Sequence, residues 1–277
     1  MFDTCVFTDE VAAEFPDAVR LAAESGAHRL EIRGKLLGKS IQDLTPETVA
    51  EIKRICANYG VSVGSLGSPV GKCAMDKPEE LERHAEIFEA MLGLSEAFEC
   101  PIIRGFSLWA PNHGKDWERD LNPYLDRIAD FLLPKAEAAA RRGAVLALEN
   151  EWDTLMGSCA EARFILQKLG EPEGLGIVWD FGNSVVLGES PYPEGYELIE
   201  PWLVHVHVKP NAEGTASPLP GAENVTLAEA LTRLWNDDYD GCISVEHFPG
   251  PEKTLQAVRD VAATIEGIVK VSRRPVD

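Results

Sequence analysis

Four apolar runs in the second half of the chain each carry, at or near the end, a side chain that can bind a metal ion. AVLALEN holds Glu149, GLGIVWD ends at Asp180, WLVHVHV holds His207 and GCISVEH holds Glu246. The gaps between them are 31, 27 and 39 residues (149 to 180, 180 to 207, 207 to 246), and each has room for one helix. Because the carboxyl ends of the strands of a closed parallel barrel meet at one rim, the pattern predicts four converging ligands.

The first half of the chain repeats this alternation of strands and helices. Its apolar runs are CVFT, HRLEIR, VSVGSL and PIIRGF, which bring the number of predicted strands to eight. Apolar strands joined by helices indicate a parallel sheet covered on both sides. At 277 residues the chain also has the length of an eight-unit barrel. We therefore predict a single (β/α)8 TIM barrel domain of the α/β class over residues 1–277.

An open, doubly wound α/β sheet is the alternative fold. No G-x-G-x-x-G motif follows any predicted strand, and the candidate ligands occupy four successive strands, so the barrel is favoured. Helical periodicity predicts helices over about 10–25, from 45, from 78, over about 123–142, 159–169 and 226–235, and from 252, with a short one within 187–200. The final RRPVD is predicted to be an exposed tail.

Composition narrows the partners and the compartment. A net charge of −20 with no basic block disfavours nucleic-acid binding. No apolar run approaches the roughly 20 residues that cross a bilayer, and MFDTCVFTDE lacks the features of a signal peptide. The six cysteines are scattered, with no CxxC pair, and are expected to be reduced thiols. We expect a cytoplasmic protein with no membrane and no nucleic-acid partner.

Three carboxylates and one imidazole make an oxygen-rich ligand set. Such a set suits one divalent cation, Mn²⁺ first, with Mg²⁺ or Co²⁺ as alternatives and Zn²⁺ less favoured without thiolates. Taken singly, each of the four side chains could instead pair with a cation at the rim. His205 and His207 alternate with valines and share one face of their strand. His207, nearer the carboxyl end, is the better ligand, and His205 is expected to be a hydrogen-bonded residue beneath it.

Three further side chains are candidates for binding a substrate. Lys209 is expected either to bind a substrate oxygen or to pair with a rim carboxylate. Arg104, near the end of its strand, could bind a carboxylate or phosphate, or pair with an acidic neighbour. Trp109 lies in a long aromatic loop and could stack on a sugar or serve packing. The loop GSPVGK lacks the spacing of a phosphate-binding P-loop, so it is expected at most to contact substrate at the rim.

The runs LEN around Glu149, WDFGN around Asp180, HVHVK around His207 and SVEHF around Glu246 resemble the xylose-isomerase-like barrel superfamily. The sugar phosphate isomerase/epimerase branch, which includes the ketose 3-epimerases, is the most similar; the opening TDE and the GSPVGK loop share that likeness. The resemblance implies that the four residues bind one divalent ion and that Glu149 and Glu246 form the acid/base pair. It also implies a small-molecule carbohydrate substrate and a homo-oligomer, a dimer or tetramer.

The activity implied by this resemblance is a metal-dependent sugar isomerase or epimerase. A sugar phosphate, polyol or keto acid would serve equally as substrate, with proton transfer through a metal-stabilised enediolate. A lyase or dehydratase acting on a keto sugar or an inosose would use the same proton abstraction and is the alternative. An abasic-site endonuclease is disfavoured by six histidines and the negative charge. Intact ligands argue against a non-catalytic barrel.

Three positions depart from the ketose 3-epimerase pattern. That pattern has a histidine where this chain has Asn183, a second glutamate where it has Leu155, and a substrate-binding arginine where it has Glu213. The departures argue against a simple free-ketose epimerase and leave the proposed metal ligands intact. Asn183 is expected to hydrogen-bond a sugar hydroxyl or to cap the following turn.

Overall fold

The computed structural model describes residues 2–272. Its strands are β1 (Asp3–Val6), β2 (Arg29–Arg33), β3 (Lys35–Leu36), β4 (Lys39–Ser40), β5 (Ser62–Gly67), β6 (Ile102–Gly105), β7 (Val145–Glu149), β8 (Leu175–Asp180), β9 (Leu203–Val208) and β10 (Cys242–Val245). Its α-helices are α1 (Phe15–Glu24), α2 (Pro46–Asn58), α3 (Pro78–Phe98), α4 (Leu125–Arg141), α5 (Cys159–Lys168), α6 (Phe181–Val186), α7 (Tyr196–Ile199), α8 (Leu227–Asn236) and α9 (Pro251–Ser272).

Eight of these strands form one parallel sheet in the order β1-β10-β9-β8-β7-β6-β5-β2. The two strands at the ends of this order lie side by side, because Phe7, directly after β1, forms a parallel bridge with Glu31 of β2. The sheet is therefore a nearly closed barrel surrounded by helices. This confirms the predicted (β/α)8 TIM barrel. The short antiparallel hairpin β3–β4 lies outside the barrel sheet.

Local sequence explains where the helices begin. The helix predicted over about 10–25 starts only at Phe15, because Pro16 is tolerated in a first turn and would break a helix interior. Thr45 caps α2, since its hydroxyl oxygen accepts the N–H of Thr48 at 3.4 Å. The short α6 was not predicted: it begins directly after β8 and is capped by the side chain of Asp180.

The core surrounds and fills the barrel. All six residues of β8 are buried, as expected for a strand covered on both faces. All six cysteines are buried, and none forms a disulfide bond with another. Within residues 2–272, no helix has the length and apolar character needed to span a membrane. The predicted RRPVD tail lies outside the described residues.

Candidate active site and metal centre

The four candidate ligands meet at the carboxyl-terminal rim of the barrel. Glu149 and Asp180 are the last residues of β7 and β8, His207 is the next to last of β9, and Glu246 directly follows β10. One ligand atom of each lies within 4.8 Å of those of the other three. All four side chains are buried, with residue exposures of 0–2%. The structure thus brings together the four residues that the sequence singled out.

Strand register and a helix cap orient Asp180. It pairs with His207 across β8 and β9, and His207 pairs with Ser244 of β10. Oδ1 of Asp180 accepts the backbone N–H of Asn183 at 3.0 Å, and this cap starts α6. Asn150 accepts the N–H of Asp180 at 2.7 Å and donates to its carbonyl at 3.0 Å, tying β7 to β8. With Oδ1 engaged in the cap, Oδ2 faces the cluster.

Two carboxylate oxygens in the cluster accept no hydrogen bond from any described residue. They are Oδ2 of Asp180 and Oε2 of Glu246, and both are buried. Both face cations instead: Oδ2 of Asp180 lies 2.6 Å from Lys209 Nζ, and Oε2 of Glu246 lies 3.2 Å from Nδ1 of His207 and 3.8 Å from Lys209 Nζ. Three carboxylates and one imidazole, with inward oxygens that now face only protonated side chains, form a ligand set that fits a divalent cation, so this cluster can hold a metal ion.

Neighbouring cations keep both glutamates ionised. Burial and the negative charge of Glu246 raise the pKa of Glu149, but the positive charges of His207 and Arg104 outweigh them and lower it to about 2. Burial also raises the pKa of Glu246, and the charges of His207 and Lys209 bring it well below its usual range. Each glutamate is therefore a carboxylate at neutral pH.

Asp180 and His207 are shifted towards their protonated forms. Burial raises the pKa of Asp180 to about 7, although the charge of Lys209 opposes the shift. Burial lowers the pKa of His207, but the negative charges of Glu31 and Glu246 overcome it and raise the pKa well above its usual value. Without a cation, an imidazolium therefore balances part of the negative charge.

Lys209 and Asn183 both contact the cluster. Lys209 Nζ lies 2.6 Å from Oδ2 of Asp180 and 3.9 Å from Oε1 of Glu149, and it donates to Oδ1 of Asn183 at 3.1 Å. Asn183 in turn donates from Nδ2 to Oε1 of Glu149 at 3.4 Å. Of the two alternatives for Lys209, the structure shows the rim ion pair. The backbone of Asn183 takes part in the α6 cap, and its side chain bridges two groups of the cluster.

Glu31, which the sequence analysis did not single out, lies fully buried beneath the cluster. Its Oε2 is 2.8 Å from Nε2 of His205 and 3.2 Å from Nε2 of His207, and its Oε1 accepts the hydroxyl of Ser65 at 2.9 Å. His205 thus has the hydrogen-bonded position expected for it. By engaging Nε2, Glu31 leaves Nδ1 of His207 facing the carboxylates. A lone glutamate between two apolar residues of a barrel strand was the available signal.

Arg33, at the end of the same strand, was also missed. Its Nη1 donates to Oε1 of Glu246 at 2.6 Å, its Nη2 to Glu10 at 2.7 Å and its Nε to Asp9 at 3.0 Å. Nε2 of His247 lies 3.0 Å from the same oxygen of Glu246. Arg33 and His247 therefore bind Oε1 of Glu246 on the side away from the cluster, and Oε2 faces the cluster.

A cavity of about 520 Å³ adjoins the cluster and has the size of a small-ligand site. Glu149 and Glu246 line it, together with Gly67, Ser68, Pro69 and Lys72 of the GSPVGK loop. Lys72 is paired with Glu151 at 3.1 Å. The loop thus occupies the rim position expected for it.

Arg104 and Trp109 have different positions relative to this cavity. Arg104 lines it and is buried, with Nη1 3.5 Å from Oε2 of Glu149. Trp109 is not among the lining residues; its ring packs at 4.7 Å on that of His113. The structure therefore shows Arg104 beside an acidic neighbour and inside the cavity, and Trp109 in a packing contact.

Comparison with solved structures shows the same fold. D-psicose 3-epimerase from Clostridium cellulolyticum H10 has a TM-score of 0.75 at 14% identity, over 98% of this chain and 99% of that chain. A probable 3-DHS dehydratase from Bacillus anthracis has a TM-score of 0.72 at 16% identity, over 96% and 99%. A Mycobacterium smegmatis barrel crystallised with magnesium has a TM-score of 0.74 at 16% identity, over 97% and 98%.

Sequence comparison gives one curated relative and a family. The relative is an uncharacterised protein of Methanocaldococcus jannaschii, 27% identical over 135 residues, which are 47% of this chain and 46% of that protein. The chain therefore matches about half the length of that relative. The model of the xylose isomerase-like TIM barrel family matches residues 19–264, nearly the whole barrel. The chain belongs to the xylose isomerase-like TIM barrel family.

Proposed function

We propose that this protein is a divalent-metal-dependent isomerase or epimerase acting on a sugar or a related keto compound. The observation that carries the proposal is the convergence of Glu149, Asp180, His207 and Glu246 beside a cavity large enough for a monosaccharide. Epimerases with the same fold, among them the 3-keto-D-glucoside 4-epimerase of Escherichia coli, support this class of reaction.

The same four residues would hold the cation, with Mn²⁺ as the first candidate and Mg²⁺ as the second. His207 would contribute Nδ1, and Asp180 and Glu246 would contribute the oxygens that accept no hydrogen bond. When bound, the cation supplies positive charge that stabilises the oxyanion of an enediolate.

Glu149 and Glu246 would move the proton. Both are ionised, so either can accept a proton from the carbon next to a carbonyl. Their surroundings differ. Arg33 and His247 hold one oxygen of Glu246, whereas Oε1 of Glu149 lies within hydrogen-bond distance of Asn183 and His207 and its Oε2 lies 3.5 Å from Arg104. One carboxylate would remove the proton, and the same or the other would return one. Return to the neighbouring carbon gives isomerisation, and return to the opposite face of the original carbon gives epimerisation.

The departures from the ketose 3-epimerase pattern weigh against a free ketose as substrate. Leu155 is fully buried in the core, and Glu213 is exposed and lines a different surface pocket. Neither position lines the cavity beside the cluster. Substrate recognition here therefore depends on other residues than in those enzymes.

A dehydratase or lyase acting on a keto sugar or inosose is the second candidate. The similarity to a probable 3-DHS dehydratase favours it, and proton abstraction by a glutamate would be common to both reactions. Mass spectrometry of the product separates them, because isomerisation conserves mass and dehydration removes water.

The proposal predicts metal-dependent deuterium uptake. Mn²⁺-loaded protein is incubated in heavy water with a panel of keto sugars, inososes and keto acids, and the label is located by NMR. Glu149→Gln and Glu246→Gln should each lower the uptake by roughly 10²–10⁴-fold, because a proton acceptor is lost. Glu213→Gln, on the exposed surface, is the matched control and should be unchanged. Full uptake in both active-site variants, or none in wild-type protein, contradicts the proposal.

Glu31→Gln should weaken cation binding, because a carboxylate that accepts from Nε2 of His207 both orients the ring and makes Nδ1 a better donor of electrons. We expect the Mn²⁺ affinity, measured by calorimetry, to fall roughly 10–100-fold. Glu213→Gln again serves as control, and circular dichroism shows whether each variant is folded. A folded Glu31→Gln protein with wild-type affinity would show that Glu31 does not position His207.

Cation binding should release protons. Nδ1 of His207 can bind a metal only when unprotonated, and the pKa of His207 is raised, so binding must displace its proton. Asp180, whose pKa is about 7, also loses its proton when it becomes a ligand. We expect release of between about one and two protons per Mn²⁺ near neutral pH and an affinity that rises with pH through neutrality. Calorimetry in two buffers of different ionisation enthalpy measures the release. An affinity independent of pH would contradict this protonation state.

A further inference from the structure

Two arginines and a glycine lie side by side on three neighbouring strands. Arg33 of β2 is the register partner of Gly67 of β5, and Gly67 is the register partner of Arg104 of β6. Adjacent strands are about 4.8 Å apart, so the backbone positions of the two arginines are separated by about two strand spacings. All three residues line the cavity beside the cluster.

The glycine keeps the space between the arginines open. A Cβ at position 67 would lie 3.2 Å from Nη2 of Arg104 and 2.9 Å from Cβ of Arg33. Any side chain here would press on both arginines. The absence of one leaves Nη2 of Arg104 accessible from the cavity.

The two arginines differ in how far their donors are used. Each of the three side-chain nitrogens of Arg33 donates a hydrogen bond, to Asp9, Glu10 and Glu246. Arg104 is 7% exposed, yet its guanidinium donates no hydrogen bond to any described residue, and its Nε is wholly buried without a partner. Its one ion-pair contact, Nη1 to Oε2 of Glu149, is long at 3.5 Å.

A buried guanidinium with free donors lacks the acceptor that its burial requires. Its planar fork matches a carboxylate, which accepts two parallel hydrogen bonds. The ring of Phe106, with its centroid 4.7 Å from Cζ of Arg104, supports one face of the guanidinium and limits its rotation. Because Nη1 of Arg104 lies 3.5 Å from Oε2 of Glu149, the free donors lie beside the carboxylate that would accept the proton.

We propose that Arg104 binds a carboxylate of the substrate in the space over Gly67, so that the substrate is a keto acid of the sugar series rather than a neutral sugar. The inference rests on the proposed function, because it places the carboxylate beside the carbon on which Glu149 would act. A carboxylate is favoured over a phosphate ester because it matches the planar fork of Arg104, and because Lys72, which lines the same cavity, is already paired with Glu151 at 3.1 Å. The positive charge of Arg33 adds to the local attraction for an anion.

The test compares three ligands that differ at one carbon. They are D-fructose, its C1 acid D-arabino-2-hexulosonate, and D-fructose 1-phosphate, each titrated into Mn²⁺-loaded protein by calorimetry. Wild-type protein should bind the acid at least about tenfold more tightly than the neutral sugar, and Arg104→Gln should reduce that ratio at least about tenfold. Arg104→Lys, which keeps the charge without the planar fork, should lie between them and serves if Arg104→Gln fails to fold.

Arg29→Gln is the matched control. Arg29 lies at the opposite end of β2, where it donates to Asp3 and Ser62, and its loss should leave the ratio unchanged. Equal binding of acid and neutral sugar by wild-type protein, or no binding of either, overturns the proposal. So does a ratio that persists in the Arg104 variants, since the preference would then come from chelation of the cation. A tighter phosphate ester would assign the site to phosphate instead.

Failure of this inference is distinguishable from failure of the proposed function. Deuterium uptake into a neutral sugar with an unchanged rate in Arg104→Gln protein would leave the isomerase proposal standing and remove the keto acid. An Arg104-dependent preference for the acid with no deuterium uptake into any ligand would support the carboxylate site and remove the isomerase proposal.

Discussion

Mutual repulsion among buried carboxylates is the constraint on which the site depends. Glu149, Asp180 and Glu246 converge at one point of the rim, where low exposure weakens screening by water. The positive charges of neighbouring side chains reduce that repulsion. Lys209 contacts all three carboxylates, and His207 lies between them as an imidazolium when no metal is bound. A divalent cation would also neutralise the carboxylates, but only after Nδ1 of His207 has lost its proton. Metal binding is therefore coupled to the protonation of His207.

The two halves of the barrel contribute different parts of the site. Strands β7 to β10, in the second half, present the candidate ligands at their carboxyl ends. Strand β2, in the first half, presents Glu31 and Arg33, which hold His207 and Glu246 by their outer atoms. Hydrogen bonds of this kind limit the freedom of a ligand side chain and set which atom faces the metal. The β5 and β6 strands then shape the adjoining cavity with Gly67 and Arg104.

The features that could be predicted from the sequence are those that depend on residues close together along the chain. Apolar runs and their spacing are local, so the barrel, the strands and the position of Glu149, Asp180, His207 and Glu246 at strand ends were predictable. The contacts of Glu31 with His207 and of Arg33 with Glu246 join residues 176 and 213 positions apart. Such pairs depend on register around a closed sheet, which periodicity along one strand does not encode.

The short helix α6 escaped prediction for a different reason. The α6 helix has six residues, too few for a periodic pattern, and its start depends on a cap by Asp180. That cap commits Oδ1 of Asp180 and brings the side chain of Asn183 against Glu149. A residue chosen as a ligand thus also builds the turn that follows it.

Anomalous diffraction from crystals soaked in Mn²⁺ tests the central claim most directly. Data collected on both sides of the manganese edge should show one peak at the rim, bonded to Glu149, Asp180, Nδ1 of His207 and Glu246 at roughly 2.0–2.3 Å. A peak elsewhere, or no peak among these four side chains at saturating Mn²⁺, would contradict the account.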